Sequence, residues 1–209
     1  MIPGKVPDVQ AQEAFVQKIM GAVEEARKGE SVVVFTDPVH QVHNNEKDYA
    51  WQFKGKDGTK TVLANTGRRR VNIIGALNPL SFHTTVLLIE GNCDKEVMKS
   101  FLKQVRQDYP HPREINMFLD NAGYNRAYEV QALAQELNIN LRYLPPYAPN
   151  LNLIERLWKF FKKKIMKNKY YSSFESFYSA INNFFRNFSD YQKELVSLLT
   201  LKFQIIKAS

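Results

Sequence analysis

The feature that most limits the fold is a change of hydrophobic period part-way along the chain. Val32-Val33-Val34-Phe35 is a short β-branched run that reads as a buried strand ending at Asp37-Pro38. Tyr49–Phe53 alternates like a strand, and Gly55-Lys56-Asp57-Gly58 is a turn leading to Thr61-Val62-Leu63. Val71–Leu77 and Thr84–Glu90 are two further strand candidates, broken by Asn78-Pro79. From there strands alternate with helices. Asp94 is placed to cap a helix from Lys95 to about Gln107, Ile115–Leu119 is a strand, and Tyr124–Leu137 is a helix. Leu141–Leu144 is a strand, Pro145-Pro146-Tyr147-Ala148-Pro149 is a rigid connection, and helices follow over Leu151 to about Asn168 and Phe174 to about Asn187. Strands first and alternation second predict a mixed α/β sheet flanked by helices.

Residues 1–30 read as a linker and an N-terminal helix, 31–190 as the core domain and 191–209 as a C-terminal tail. With 209 residues, the chain is long enough for one sizeable core plus an appendage. No apolar run reaches the roughly 18 residues of a membrane-spanning helix, so no membrane partner is expected. Cys93 is the only cysteine, which excludes an internal disulfide framework and a zinc site built on paired cysteines. A reducing cytoplasm is the expected compartment.

The formal net charge is +8, and it is concentrated. Arg156, Lys159, Lys162, Lys163, Lys164, Lys167 and Lys169 lie together with no acidic residue among them, and the rest of the chain nets +1. Such a block suits a polyanion, although a solvated helix face would look the same.

Two acids close predicted strands, Asp37 after Val32–Thr36 and Asp120 after Ile115–Leu119. On neighbouring strands, about 4.8 Å apart, their carboxylates would converge at one sheet edge. Alone, either acid could equally be a turn former. Glu155 lies near the start of a helix whose apolar face is Ile154, Leu157, Trp158, Phe161 and Ile165, with Glu155, Lys159 and Lys162 along its flank. An i,i+4 pair with Lys159 is the structural alternative for that glutamate. Three carboxylates without a histidine or cysteine ligand motif favour Mg²⁺ or Mn²⁺, and two such ions serve phosphodiester chemistry. In the absence of metal, three clustered acids should raise at least one pKa and leave the site splayed.

Phe118-Leu119-Asp120-Asn121-Ala122, followed by the string from Leu144-Pro145-Pro146 through Asn150-Leu151-Asn152-Leu153-Ile154-Glu155-Arg156-Leu157-Trp158, resembles the catalytic domain of mariner-type DDE transposases. The similarity is greatest to the bacterial insertion-sequence branch. Thirty-four residues separate Asp120 from Glu155, the spacing typical of that superfamily. Asp37-Pro38-Val39-His40-Gln41-Val42-His43 is similar to one form of the first acidic motif, and Arg69–Asn78 to the second core strand.

The resemblance implies an RNase H-like fold with Asp37, Asp120 and Glu155 as the catalytic, metal-binding triad for Mg²⁺ (or Mn²⁺), two ions in all. It implies metal-dependent DNA cleavage and strand transfer on double-stranded DNA, at element ends and target, in a homodimer of the bacterial cytoplasm associated with the nucleoid. Arg68, Arg69, Arg70, Arg156, Lys159, Lys162 and Lys163 are the candidate phosphate contacts. His40, His43, Asn121 and Asn152 are candidate auxiliaries, and a structural or turn role suits the two histidines at least as well. Met1–Pro7 resembles the linker behind helix-turn-helix modules, so an upstream module in cis or in trans is expected to supply end recognition. A non-transposing RNase H-like nuclease, and a catalytically idle transposase-derived DNA-binding protein, stand as alternatives. The presence of all three acids argues against the idle reading.

Overall fold

The computed structural model describes residues 8–44, 63, 66–111 and 113–207. The strand expected over Tyr49–Phe53 and the turn 55–58 lie outside them. Eleven elements follow in chain order among the described residues: α1 (Val9–Arg27), β1 (Ser31–Asn44), β2 (Thr66–Leu77), β3 (Thr84–Ile89), α2 (Lys95–Asp108), β4 (Glu114–Leu119), α3 (Tyr128–Glu136), β5 (Ile139–Tyr143), α4 (Ile154–Ile165), α5 (Phe174–Arg186) and α6 (Gln192–Leu198). Three of these helices begin at side-chain caps, α5 at Ser173, whose hydroxyl accepts from the Ser176 N–H. Asp8 accepts from the Ala11 N–H, and Asp94 accepts from the Glu96 and Val97 N–H groups at 3.0 Å.

The sheet order is β3-β2-β1-β4-β5. β1, β2 and β3 are mutually antiparallel, while β4 and β5 run parallel to β1. This is the mixed, helix-flanked sheet the sequence predicts, with the RNase H-like fold that the resemblance implies. Strand alternation sends Phe35, Ile73 and Phe118 to one face and Val34, Ile74, Met117 and Leu119 to the other. The first face packs against α1, α4, α5 and α6, and the second against α2 and α3. The aromatic α5 is core, with Phe174, Phe177, Ile181 and Phe184 all buried.

The structure differs from the sequence reading at three places. β1 does not end at Asp37-Pro38 but continues to Asn44, paired with β2 throughout. Proline is tolerated there because β4 leaves β1 after the Phe35–Phe118 pair, so Pro38 sits on a free edge and lacks no ladder bond on that side. The helix expected over Tyr124–Leu137 is split into a 3₁₀ turn, Gly123–Arg126, and α3, because Ala127 between them is extended (φ −59°, ψ 138°). The helix expected from Leu151 starts at Ile154, a separate 3₁₀ turn occupying Pro149–Leu151.

The stretch read as a tail, 191–209, carries α6 and then an extended run folded back on the core, with Leu195 and Leu199 buried. Gln12 of α1, wholly buried, exchanges hydrogen bonds with both the N–H and carbonyl of Ile206 and accepts from the Asn150 amide. Helix α4 packs against β1, β2, α5 and α6.

Its contact with the sheet depends on a glycine. Gly75 pairs with Asp37 across β1 and β2. A Cβ at Gly75 would stand 2.7 Å from Trp158 Cη2, 3.0 Å from Cζ2 and 3.3 Å from Ile154 Cδ1. The indole therefore lies directly on the β2 backbone. Gly75→Ala is expected to push α4 off the sheet and cost about 1–3 kcal/mol in urea unfolding, with altered tryptophan fluorescence in the native baseline. Stability equal to the parent would show that α4 has slack here.

Candidate active site

The Phe35–Phe118 pair is the last step of the parallel ladder. Asp37 and Asp120 each follow it by two residues, and side chains two apart share a sheet face. Both acids therefore leave on the side where α4 lies. Asn152 sets the third. Its side-chain N–H donates to the Thr36 carbonyl (3.0 Å), beside Asp37, while its own carbonyl accepts from the Glu155 N–H (3.2 Å). Glu155 sits in the first turn of α4, where the helix dipole favours an anion.

Asp37, Asp120 and Glu155 line one cavity of about 780 Å³, walled by Pro145–Pro149 and also lined by His40, Trp158 and Lys162. A second cavity of about 430 Å³ adjoins it along α4, reached by Glu155, Arg156, Lys159 and Lys162. Lys162 borders both.

The field in the main cavity is strongly negative. Burial, then Glu155, then Asp120 hold the Asp37 carboxyl well above its ordinary value of 3.8. The Trp158 indole N–H, which completes no hydrogen bond, lies toward Asp37 and lowers it in part. Tyr124 and Cys93 feel the same acids. Burial foremost pushes both up, with Asp120 and Asp37 adding, so hydroxyl and thiol stay neutral. Neither residue was a candidate site residue in the sequence.

No three His, Cys, Asp or Glu side chains among the described residues are drawn tight enough to hold a metal ion as they stand. The donor chemistry nevertheless fits a hard cation. Three carboxylates share the cavity, Asp37 is destabilised as an anion, and the buried Asn152 Oδ1 has no partner.

Not every candidate residue joins this site. His40 borders the cavity with its Nδ1–H on Asn72 Oδ1 (2.6 Å), an orientation set because Asn72 gives its amide N–H to the Gly91 carbonyl. His43 does not: its Nε2–H donates to the Tyr171 carbonyl (3.0 Å), and its ring stacks on Phe177. Asn121 also borders the cavity, but its side chain ties the end of β4 to the Leu144 carbonyl (2.5 Å) and accepts from Arg126.

Two arginines are committed within the fold. Arg69 bridges Glu90 (3.2 Å) and Glu175 (3.1 Å) and covers the Phe174 ring, and Arg156 donates to the Thr200 and Lys202 carbonyls. Both guanidinium groups were candidate phosphate contacts, and in this structure their partners lie within the chain. Arg70 donates to Asn92 Oδ1 (2.6 Å). Arg68 and Lys163 are exposed and border neither cavity, and Arg70 is five positions along β2 from Gly75, roughly 16 Å away.

Residues 32–178 match the family model for the DDE superfamily endonuclease. The chain belongs to that family. Over 191 residues it is 26% identical to the insertion element IS630 uncharacterized 39 kDa protein of Shigella sonnei, covering 88% of this chain and 54% of that protein. The chain thus spans about half the length of this curated relative. Its fold is similar to that in the Mos1 strand transfer complex, with a TM-score of 0.67 at 14% identity, covering 95% of this chain and 61% of that one. It is also similar to the mariner Mos1 paired end complex with Mg, with a TM-score of 0.66 at 15% identity, covering 95% of this chain and 62% of that one. None of the helices among the described residues is long and apolar enough to cross a membrane.

The raised carboxyl of Asp37 has a thermodynamic sign. A carboxyl that binds its proton more tightly folded than unfolded favours the fold below 3.8, and that contribution is lost as pH rises through the folded value. In chelator-treated protein, Asp37→Asn is therefore expected to raise Tm at pH 7 by about 2–4 °C, the response of a chain this size to roughly 1 kcal/mol. The gain should vanish near pH 4. A lower Tm for the variant at pH 7 would contradict the crowding of charge at this site.

Proposed function

We propose that the chain is the catalytic domain of a DNA transposase that cleaves DNA and transfers strands with Mg²⁺ or Mn²⁺, two ions at a time. The observation that carries the reading is the convergence of Asp37, Asp120 and Glu155 on one cavity from three separate elements. Membership of an endonuclease family supports it, as does the likeness to a strand transfer complex. The Mg in a similar paired end complex supports the metal.

Within this reading Asp37 and Asp120, each two residues past the last pair of the parallel ladder, and Glu155 from α4 would hold the cations. Bound there, the cations would activate a water or a 3′-hydroxyl and stabilise the leaving oxygen. Lys162 and Lys159 hold the phosphodiester by charge, without reading sequence. Trp158 and the Pro145–Pro149 wall limit water around the reacting phosphate. End recognition falls to a helix-turn-helix module in cis or in trans, and joining two element ends requires a dimer. The reading places the protein at the bacterial nucleoid.

Nicking of supercoiled plasmid tests the chemistry. With Mn²⁺ the parent chain is expected to nick, and Asp120→Asn or Glu155→Gln to lose at least about a hundredfold, several kcal/mol of transition-state stabilisation, with unchanged circular dichroism. Activity within tenfold of the parent in either variant would sink the triad.

A salt titration tests the lysines. Lys159→Ala and Lys162→Ala should each weaken duplex binding uniformly across sequences and lower the salt slope by about one unit or less. An altered sequence preference with an unchanged slope would assign them another role.

A further inference from the structure

Asp120 is not a freely rotating carboxylate. Its Oδ1 accepts two hydrogen bonds, from the Ala122 N–H (3.1 Å) and from the Asn125 side-chain amide (2.8 Å). No hydrogen bond of the described residues falls on Oδ2. The terminal torsion of an aspartate is broad and roughly two-fold, so an unanchored carboxylate would exchange its two oxygens at any ligand position. Two donors on the same oxygen remove that freedom and leave Oδ2 for the cavity.

The amide that does this is itself fixed. Asn125 is 4% exposed, inside the 3₁₀ turn after β4. Its N–H donates to the Ala122 carbonyl (3.0 Å), and its carbonyl accepts from the Tyr143 hydroxyl (2.8 Å). The Arg126 guanidinium covers the Tyr143 ring at 4.5 Å, closing the turn against β5. Asn125 Oδ1, by contrast, is buried without a partner. A residue chosen only to fill this space would not bury an amide whose acceptor end is unmet, because leucine has nearly the same shape and no such cost. The donor end is what the position uses.

We infer that Asn125 is a positioning residue, which orients Asp120 so that Oδ2 alone addresses a divalent cation. The inference rests on the metal reading above and adds a residue outside the three acids. Groups that hydrogen-bond to metal ligands fix ligand orientation, and their loss typically weakens metal binding 10–100-fold.

Calorimetric titration of Mn²⁺ into the 209-residue chain, without DNA, tests it. Asn125→Leu keeps the volume and removes the donor. It is expected to bind Mn²⁺ about 10–100-fold more weakly while its urea midpoint equals or exceeds the parent's. Asn125→Ser, which keeps a donor on a shorter arm, should lose less affinity than Asn125→Ala. If circular dichroism shows Asn125→Leu unfolded, the Ser and Ala pair decides the matter. Unchanged Mn²⁺ affinity in Asn125→Leu, or equal affinities in the Ser and Ala variants, would overturn the inference while leaving the metal site standing. Asp120→Asn serves as the reference: if the parent shows no Mn²⁺ binding that depends on Asp120, the metal reading fails and this inference with it.

Discussion

The stacked pair Phe35–Phe118 is the contact on which the site's geometry depends. The rings lie 5.2 Å apart at 23°, with Phe15 of α1 edge-on to Phe118 at 5.7 Å. They close the parallel ladder of β1 and β4, and both strands reach their acids two residues later. The strands then part. β1 continues against β2 alone, while the chain after β4 turns away at Asp120. The edge of β1 left open by that parting is the floor of the cavity. A one-residue slip in this register would send one carboxylate to the α2–α3 face, because side chains alternate along a strand.

Bringing three acids together works against folding, as the displaced Asp37 carboxyl shows. Apolar contact and a few directed hydrogen bonds offset that repulsion. Trp158 rests on Gly75, opposite Asp37, and Asn152 joins Thr36 to the Glu155 turn. Both contacts tie α4 to interior strands of the sheet. A divalent cation bound among the three carboxylates would remove the conflict.

The acids were legible because their signal is local: an apolar run ending in aspartate, and a glutamate on the flank of an amphipathic helix. What the sequence hid depends on distant partners. Arg69 meets Glu175 from 106 positions away, and Arg156 meets Thr200 from 44. No local pattern reveals such distant partners. Pro38 reads as a stop because proline usually ends a strand, and only the departure of β4 makes it harmless. Trp158 was legible as core but not as the neighbour of Asp37, which requires the Gly75 register. Asn125 left one faint trace, an amide five positions after an acid in a segment that otherwise reads as helix.

The basic block holds one arginine and six lysines, and the arginine is the one held by backbone carbonyls. Arg156 adjoins Glu155 in the chain, so the first turn of α4 points an acid into the cavity and a guanidinium toward the C-terminal run. The fixed fork of arginine suits two carbonyls held at set positions, such as those of Thr200 and Lys202. Lysine, a compact charge on a flexible stem, suits a phosphate whose position shifts during a reaction. Lys164 is drawn into structure as well, paired with Glu194 of α6 at 2.8 Å. Of the four residues Lys159, Lys162, Lys163 and Lys164, only Lys159 and Lys162 border a cavity that holds Glu155. The basic residues of α4 thus divide by geometry: Arg156 and Lys164 tie the helix to its own chain, while Lys159 and Lys162 border cavities that hold Glu155.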